Sequence, residues 1–116
     1  MNFNEYQTLA KKTLVNNNEG QLLRLARLAL GISGESGEVA EKMKKILRGD
    51  YPKDQYGRIS REVVRELGKE LGDILWYIAV LSDELGLNLE GIAEYNIWKL
   101  KQRQEEDKLR GSGDNR

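Results

Sequence analysis

Two pairs of acids, each with members three residues apart, are the part of this 116-residue chain that could do chemistry: Glu35 and Glu38 in "GESGEVAEKMKK", Glu70 and Asp73 in "KELGDILWYIAVL". Ionised carboxylates gathered in one place repel, and burying them costs several kcal/mol per charge unless something compensates. A divalent cation is the direct compensation. A ligand set made only of oxygens suits a hard ion, Mg²⁺ first and Mn²⁺ as its substitute, with water or a substrate phosphate completing an octahedron. The competing reading is solvated helix surface, because Glu favours helices and Glu/Lys pairs decorate most exposed faces.

Composition narrows the chemistry further. The chain has no Cys and no His, which removes disulfides, thiol nucleophiles, Ser-His-Asp catalysis and the usual zinc ligands. Lys+Arg and Asp+Glu balance at 19 each, so net charge argues against a nucleic-acid polymer or an anionic membrane as main partner. The longest apolar run, Ile74 to Leu81, falls far short of a bilayer span, and the opening "MNFNEYQ" lacks a signal-peptide pattern. A soluble cytoplasmic protein is expected.

The elements that must position the acids are helices. Leu, Ala, Glu, Lys and Arg occur throughout and Pro52 is the single proline, which predicts an all-α chain resembling a four-helix bundle. The first helix is expected over 4–14, ending at "NNNEG", and the second over 21–47, closed by Gly49 and Pro52. Ser60 can cap a third reaching Leu85, and Asn88 a fourth reaching Leu109. One domain over 1–110 and a polar tail over 111–116 follow.

On the second helix Leu22, Leu25, Ala29, Ile32, Val39, Met43 and Ile46 gather on one face, with Glu35 and Glu38 at its border and Glu41 roughly opposite. On the third, Val64, Leu67, Leu71, Ile74, Leu75 and Ile78 form the stripe, bordered by Glu70 and Asp73. Packing stripe to stripe would unite the acid pairs. Gly31, Gly34, Gly37, Gly68 and Gly72 surround them although each internal Gly costs roughly 1 kcal/mol against Ala, which marks close helix approach or room for a ligand.

These segments resemble the MazG-like branch of the all-α nucleoside triphosphate pyrophosphohydrolases. The likeness is carried by "GESGEVAEKMKK" and "KELGDILWYIAVL", and extends to "NEYQTLAKKT" and to "YNIWKLKQRQEEDKLRGSGDNR", nearly the whole chain. It implies that Glu35, Glu38, Glu70 and Asp73 hold Mg²⁺. Gly34 stands where the family usually carries a further Glu, which removes one supporting acid. The implied activity is hydrolysis of a (deoxy)nucleoside triphosphate between the α and β phosphates, for house-cleaning of noncanonical or surplus nucleotides. Metal held by the acids would neutralise the triphosphate, orient it and activate a water for attack at the α phosphorus. Glu38 is the first candidate to orient or deprotonate that water.

The fourth helix supplies opposing charge. Asn96 falls within its apolar stripe of Leu89, Ile92, Ala93, Ile97 and Leu100, and Lys99 and Arg103 follow at helical spacing. Asn96 is therefore expected in a buried contact within the site, and Lys99 and Arg103 on the phosphates. Lys45 is a further candidate on the Glu35/Glu38 side, and Lys42 ranks behind it. Tyr6, Trp76, Tyr77 and Trp98 could stack on a base, although core packing accounts for most of them. Trp76 and Val80 lie opposite the main stripe, a second apolar face that predicts burial in a homodimer or homotetramer. The tail "GSGDNR" reads either as a phosphate loop or as a frayed terminus. Two readings compete with the pyrophosphohydrolase: a non-catalytic helical assembly module, and a dUTPase-like relative that prefers one base.

Overall fold

A computed structural model describes residues 1–106, which form four α-helices and no strand beyond an isolated bridge between Lys53 and Ile59. The helices start where the sequence offers caps. Asn2 accepts the Glu5 amide (2.9 Å) ahead of α1 (Phe3–Lys11). Ser60 accepts the Val63 amide (3.3 Å) ahead of α3 (Arg61–Glu84), and Asn88 the Gly91 amide (2.7 Å) ahead of α4 (Leu89–Glu105). The longest, α2 (Gln21–Arg48), ends on Gly49, whose φ of 91° suits glycine. The first helix stops three residues short of Leu14, because the Thr13 amide and hydroxyl both turn back to the Ala10 carbonyl. The tail over 111–116 lies outside the described residues. No helix among the described residues is long and apolar enough to cross a membrane.

Antiparallel packing of α2 on α3 is fixed along most of its length. Arg24 pairs with Glu84 (3.1 Å) at one end, and Lys42 with Glu66 (3.7 Å) toward the other. Between them Tyr77 lies so close on Gly31 that a Cβ there would fall 2.2 Å from its ring. α1 and α4 pack on α3 and on each other, while α4 does not touch α2. The core cluster therefore gathers around the C-terminal half of α3: Ala10, Leu28, Ala79, Val80 and Leu89. Buried Gln7 joins three segments there, donating to the Ala79 and Leu87 carbonyls (3.1 and 3.0 Å) and accepting from the Leu89 amide (3.0 Å). It satisfies backbone groups that burial would otherwise strand.

Three expectations need correction. First, only part of each expected stripe is covered: Leu25, Ile32, Val39 and Ile46 of α2 and Leu67, Ile74, Leu75 and Ile78 of α3 are at least half-buried, and the other members are exposed. Leu28, outside the expected stripe, is fully buried, whereas Leu22 is 82% exposed, and Val64 and Leu71 are 52% and 57% exposed. Each helix is turned so that one border of its stripe faces away from the other helix. The ring of Tyr77 on Gly31 holds that rotation, and α1 claims the adjoining face of α3. Second, Trp76 and Val80 need no neighbouring subunit: α1 covers them, Val80 is buried, and the Trp76 indole donates to Thr13 Oγ1 (2.7 Å). Third, Asn96 is exposed rather than buried, as are Ile92 and Ile97, because α2 does not reach α4.

The rotation leaves apolar surface bare. Leu22, Leu47, Val64 and Leu71 flank the α2/α3 seam on one side, and the radius of gyration is 17.6 Å against about 13 Å for a compact chain of similar length.

Candidate metal centre

Rotating the helices carries acids from the border of the stripe into the seam itself. Glu35 projects from α2 toward α3, where Glu70 and Asp73 stand one turn apart. One carboxylate oxygen from each of the three lies within 4.8 Å of the others. Glu35 and Glu70 are half-buried and Asp73 is exposed, so the cluster opens to solvent on the Asp73 side. Burial, then the negative charges of Asp73, Glu70 and Glu38, raise the pKa of Glu35 above that of an ordinary glutamate. The perturbing charges are all acidic. Convergent, mutually repelling oxygens with no sulfur or imidazole among them make a donor set that fits a hard divalent ion.

The remaining candidates are placed less uniformly. Glu38 is exposed, one turn beyond Glu35, close enough to perturb it but outside the converged trio. Lys45 is half-buried and turned toward the far end of α2, where its charge is felt at Asp50. On α4, Lys99 lies over the Tyr95 ring (5.8 Å) and Arg103 is buried. Together with exposed Asn96 they ride on a helix that meets α1 and α3 only, so they form no direct wall of the Glu35 side. Exposed Glu41 faces away from the seam, as its spacing requires. Of the glycines, only Gly31 serves close approach; Gly34, Gly37, Gly68 and Gly72 have nothing within 4 Å of a would-be Cβ.

Two residues matter more than the sequence suggested. Lys42, ranked last among the cations, holds its ammonium 3.7 Å from both Glu66 and Glu70. Its position four residues after Glu38 and seven after Glu35 was the available signal, since that spacing repeats one helix face. Tyr6 of α1 has its pKa raised by burial and by the charge of Asp73, which puts its phenol on the cluster's flank. Nothing local in the sequence announces that contact, because it depends on how α1 crosses α3.

Fold and site thus define a class of all-α chains that carry acids across a helix seam. The MazG nucleotide pyrophosphohydrolase domain matches residues 24–107, which hold the whole cluster, nearly all of α2 and all of α3 and α4. The chain belongs to that family. It is also similar to the Gene 37 protein of Mycobacterium phage L5, 37% identical over 119 residues that cover both chains completely. No solved structure matches significantly.

Proposed function

We propose that the chain is a Mg²⁺-dependent pyrophosphohydrolase of (deoxy)nucleoside triphosphates that removes noncanonical or surplus nucleotides. The observation that carries this reading is the convergence of Glu35, Glu70 and Asp73 on one point of the seam, inside the family's domain. These three would hold the cation, with Glu38 joining them or standing just outside. When bound, the ion supplies positive charge against the triphosphate and acidity to a water. Glu38, exposed and negatively charged beside the trio, takes the proton of the attacking water. The water oxygen adds to the α phosphorus, the bond from that phosphorus to the bridging oxygen breaks, and nucleoside monophosphate and pyrophosphate leave. Asn96, Lys99 and Arg103 bind the nucleotide and its outer phosphates, with Lys45 as a further contact.

Self-association belongs to the same reading. The bare leucines and Val64 beside the seam offer a two-helix apolar face that a second copy of the chain would cover, as a dimer or tetramer. The domain spans 1–110 in this reading, and the protein works in the cytoplasm.

Incubating the purified protein with canonical and damaged nucleoside triphosphates and Mg²⁺, then separating products by ion exchange, tests the proposal. Monophosphate and pyrophosphate in equal amounts are expected from at least one substrate. Release of single inorganic phosphates rules out cleavage between the α and β phosphates, and no turnover with Mg²⁺ or Mn²⁺ across the panel rules out the enzyme in favour of a helical assembly module.

A further inference from the structure

We propose that Lys42 is a resident counter-ion of the acid cluster, one that competes with the incoming cation and then transfers its charge to the triphosphate. The inference rests on the pyrophosphohydrolase reading. Its basis is the geometry of one side chain. The Lys42 ammonium stands 3.7 Å from Glu66 Oε2 and 3.7 Å from Glu70 Oε1, so it is shared between a metal-cluster acid and an acid outside that cluster. A charge-assisted hydrogen bond is about 2.7–2.9 Å long, which makes each of these contacts loose. Lysine is suited to such a role: a compact, hydrated point charge on a flexible stem, with three rotatable donors.

The surroundings give the charge somewhere to go. Lys42 is half-buried at the seam, on the same face of α2 as Glu35 and Glu38, while Glu66 is more exposed than Glu70. Without a metal ion the ammonium partly offsets the repulsion around Glu70. A divalent ion among the same oxygens would take over that function and repel the ammonium. The polyphosphate arriving with the ion is the strongest anion within reach of the displaced side chain.

Lys42 therefore acts in opposite senses on the two ligands, which a mere strut between α2 and α3 would not do. Calorimetric titration of nucleotide-free protein with Mn²⁺ should show Lys42→Met binding about three- to fivefold tighter than wild type, the scale of a partly exposed charge pair. The KM for a hydrolysed triphosphate should rise at least about tenfold in the same variant, as for loss of a charged hydrogen bond, with kcat less affected and partial recovery in Lys42→Arg. Glu66→Gln provides a second variant at an exposed position, should Lys42→Met fold poorly. It leaves Lys42 wholly to Glu70 and should weaken Mn²⁺ binding. Unchanged or weaker Mn²⁺ binding in Lys42→Met together with an unchanged KM, or unchanged Mn²⁺ binding in Glu66→Gln, overturns the assignment. A wild-type protein that hydrolyses no triphosphate removes the underlying reading instead, while the Mn²⁺ titrations still decide whether Lys42 opposes the ion.

Discussion

The two halves of α3 live in different environments. From Trp76 to Ser82 the helix is enclosed by α1, α2 and α4, with Ala79 and Val80 buried and Gln7 tying its backbone to the start of α4. From Arg61 to Asp73, Val63 is buried, but Val64 and Leu71 stand bare and Gly68 and Gly72 face open space. Glu70 and Asp73 lie at the open end, beside the boundary. The enclosed half supplies a rigid base, and the open half leaves the carboxylates reachable by an ion or a nucleotide. Stability and chemistry are thus separable along a single helix.

Asp73→Asn is the strongest challenge to that separation. Losing even an outer-shell partner of a metal ligand costs 10–100-fold, so losing a ligand should lower kcat/KM by more than about 100-fold. The melting temperature should hold or rise, because one of the charges repelling Glu35 is gone. Full activity in Asp73→Asn would move the chemistry away from the open half. On the enclosed side Leu28→Ala should cost about 3 kcal/mol in urea unfolding, the usual price of a buried leucine left as a cavity. Leu71→Ala should act differently: if the proposed second copy covers this side chain, which is bare in one chain, its cost should grow with protein concentration. Equal, concentration-independent losses for both variants would erase the contrast between the halves.

The sequence displayed this contrast only in part. Helix number, the caps at Ser60 and Asn88 and the glycine stop after α2 are local properties and were legible. The expected meeting of the acid pairs holds for Glu35, Glu70 and Asp73, while Glu38 stays outside the trio. Rotation about the helix axes was not legible. It depends on Tyr77 settling on Gly31 and on α1 covering Trp76, contacts between residues far apart in the chain. The apolar periodicity of α2 and α3 was a true signal read too broadly: Leu25, Ile32, Val39, Ile46, Leu67, Ile74, Leu75 and Ile78 are at least half-buried, while Leu22, Val64 and Leu71 are left bare. The burial expected of Asn96 failed for a related reason, since periodicity in α4 says nothing of whether α2 reaches it.

Glycine substitutions sharpen the comparison at smaller scale. Gly31→Ala would press a methyl into the Tyr77 ring and should destabilise by about 1–3 kcal/mol, the range for overpacking. One turn along, Gly34→Ala meets nothing within 4 Å and should stabilise the isolated protomer by about 0.5–1 kcal/mol, the ordinary gain in a helix interior. Thermal unfolding of the two variants at low protein concentration checks the signs. A destabilised Gly34→Ala would show that the open region is occupied even in the dilute protein.

The pH dependence of stability provides the finest probe, because it reports on the acid cluster alone. Glu35 keeps its proton to higher pH than an ordinary glutamate, through burial and then the charges of Asp73, Glu70 and Glu38. The unfolded chain releases that proton at the ordinary value, so between the two values the folded state binds more protons than the unfolded one. Metal-free protein should therefore gain stability as pH falls through this window. Glu19, Asp50 and Asp54 act in the opposite sense and at lower pH. Hydrogen bonds from the Arg27 and Arg48 side chains and the Arg58 backbone hold them below their ordinary values, and their contribution is lost only as pH falls beneath those values. Glu35→Gln should flatten the slope above the ordinary glutamate range and leave the acid limb in place. Saturating Mg²⁺ should reverse that slope in wild type, because a cation favours the ionised carboxylates and stabilises more as they deprotonate. Denaturant midpoints measured across this range with and without Mg²⁺ give both results. A slope that survives Glu35→Gln would mean the repulsion in the seam is already relieved within the chain, and the open half of α3 would have no electrostatic reason to bind an ion.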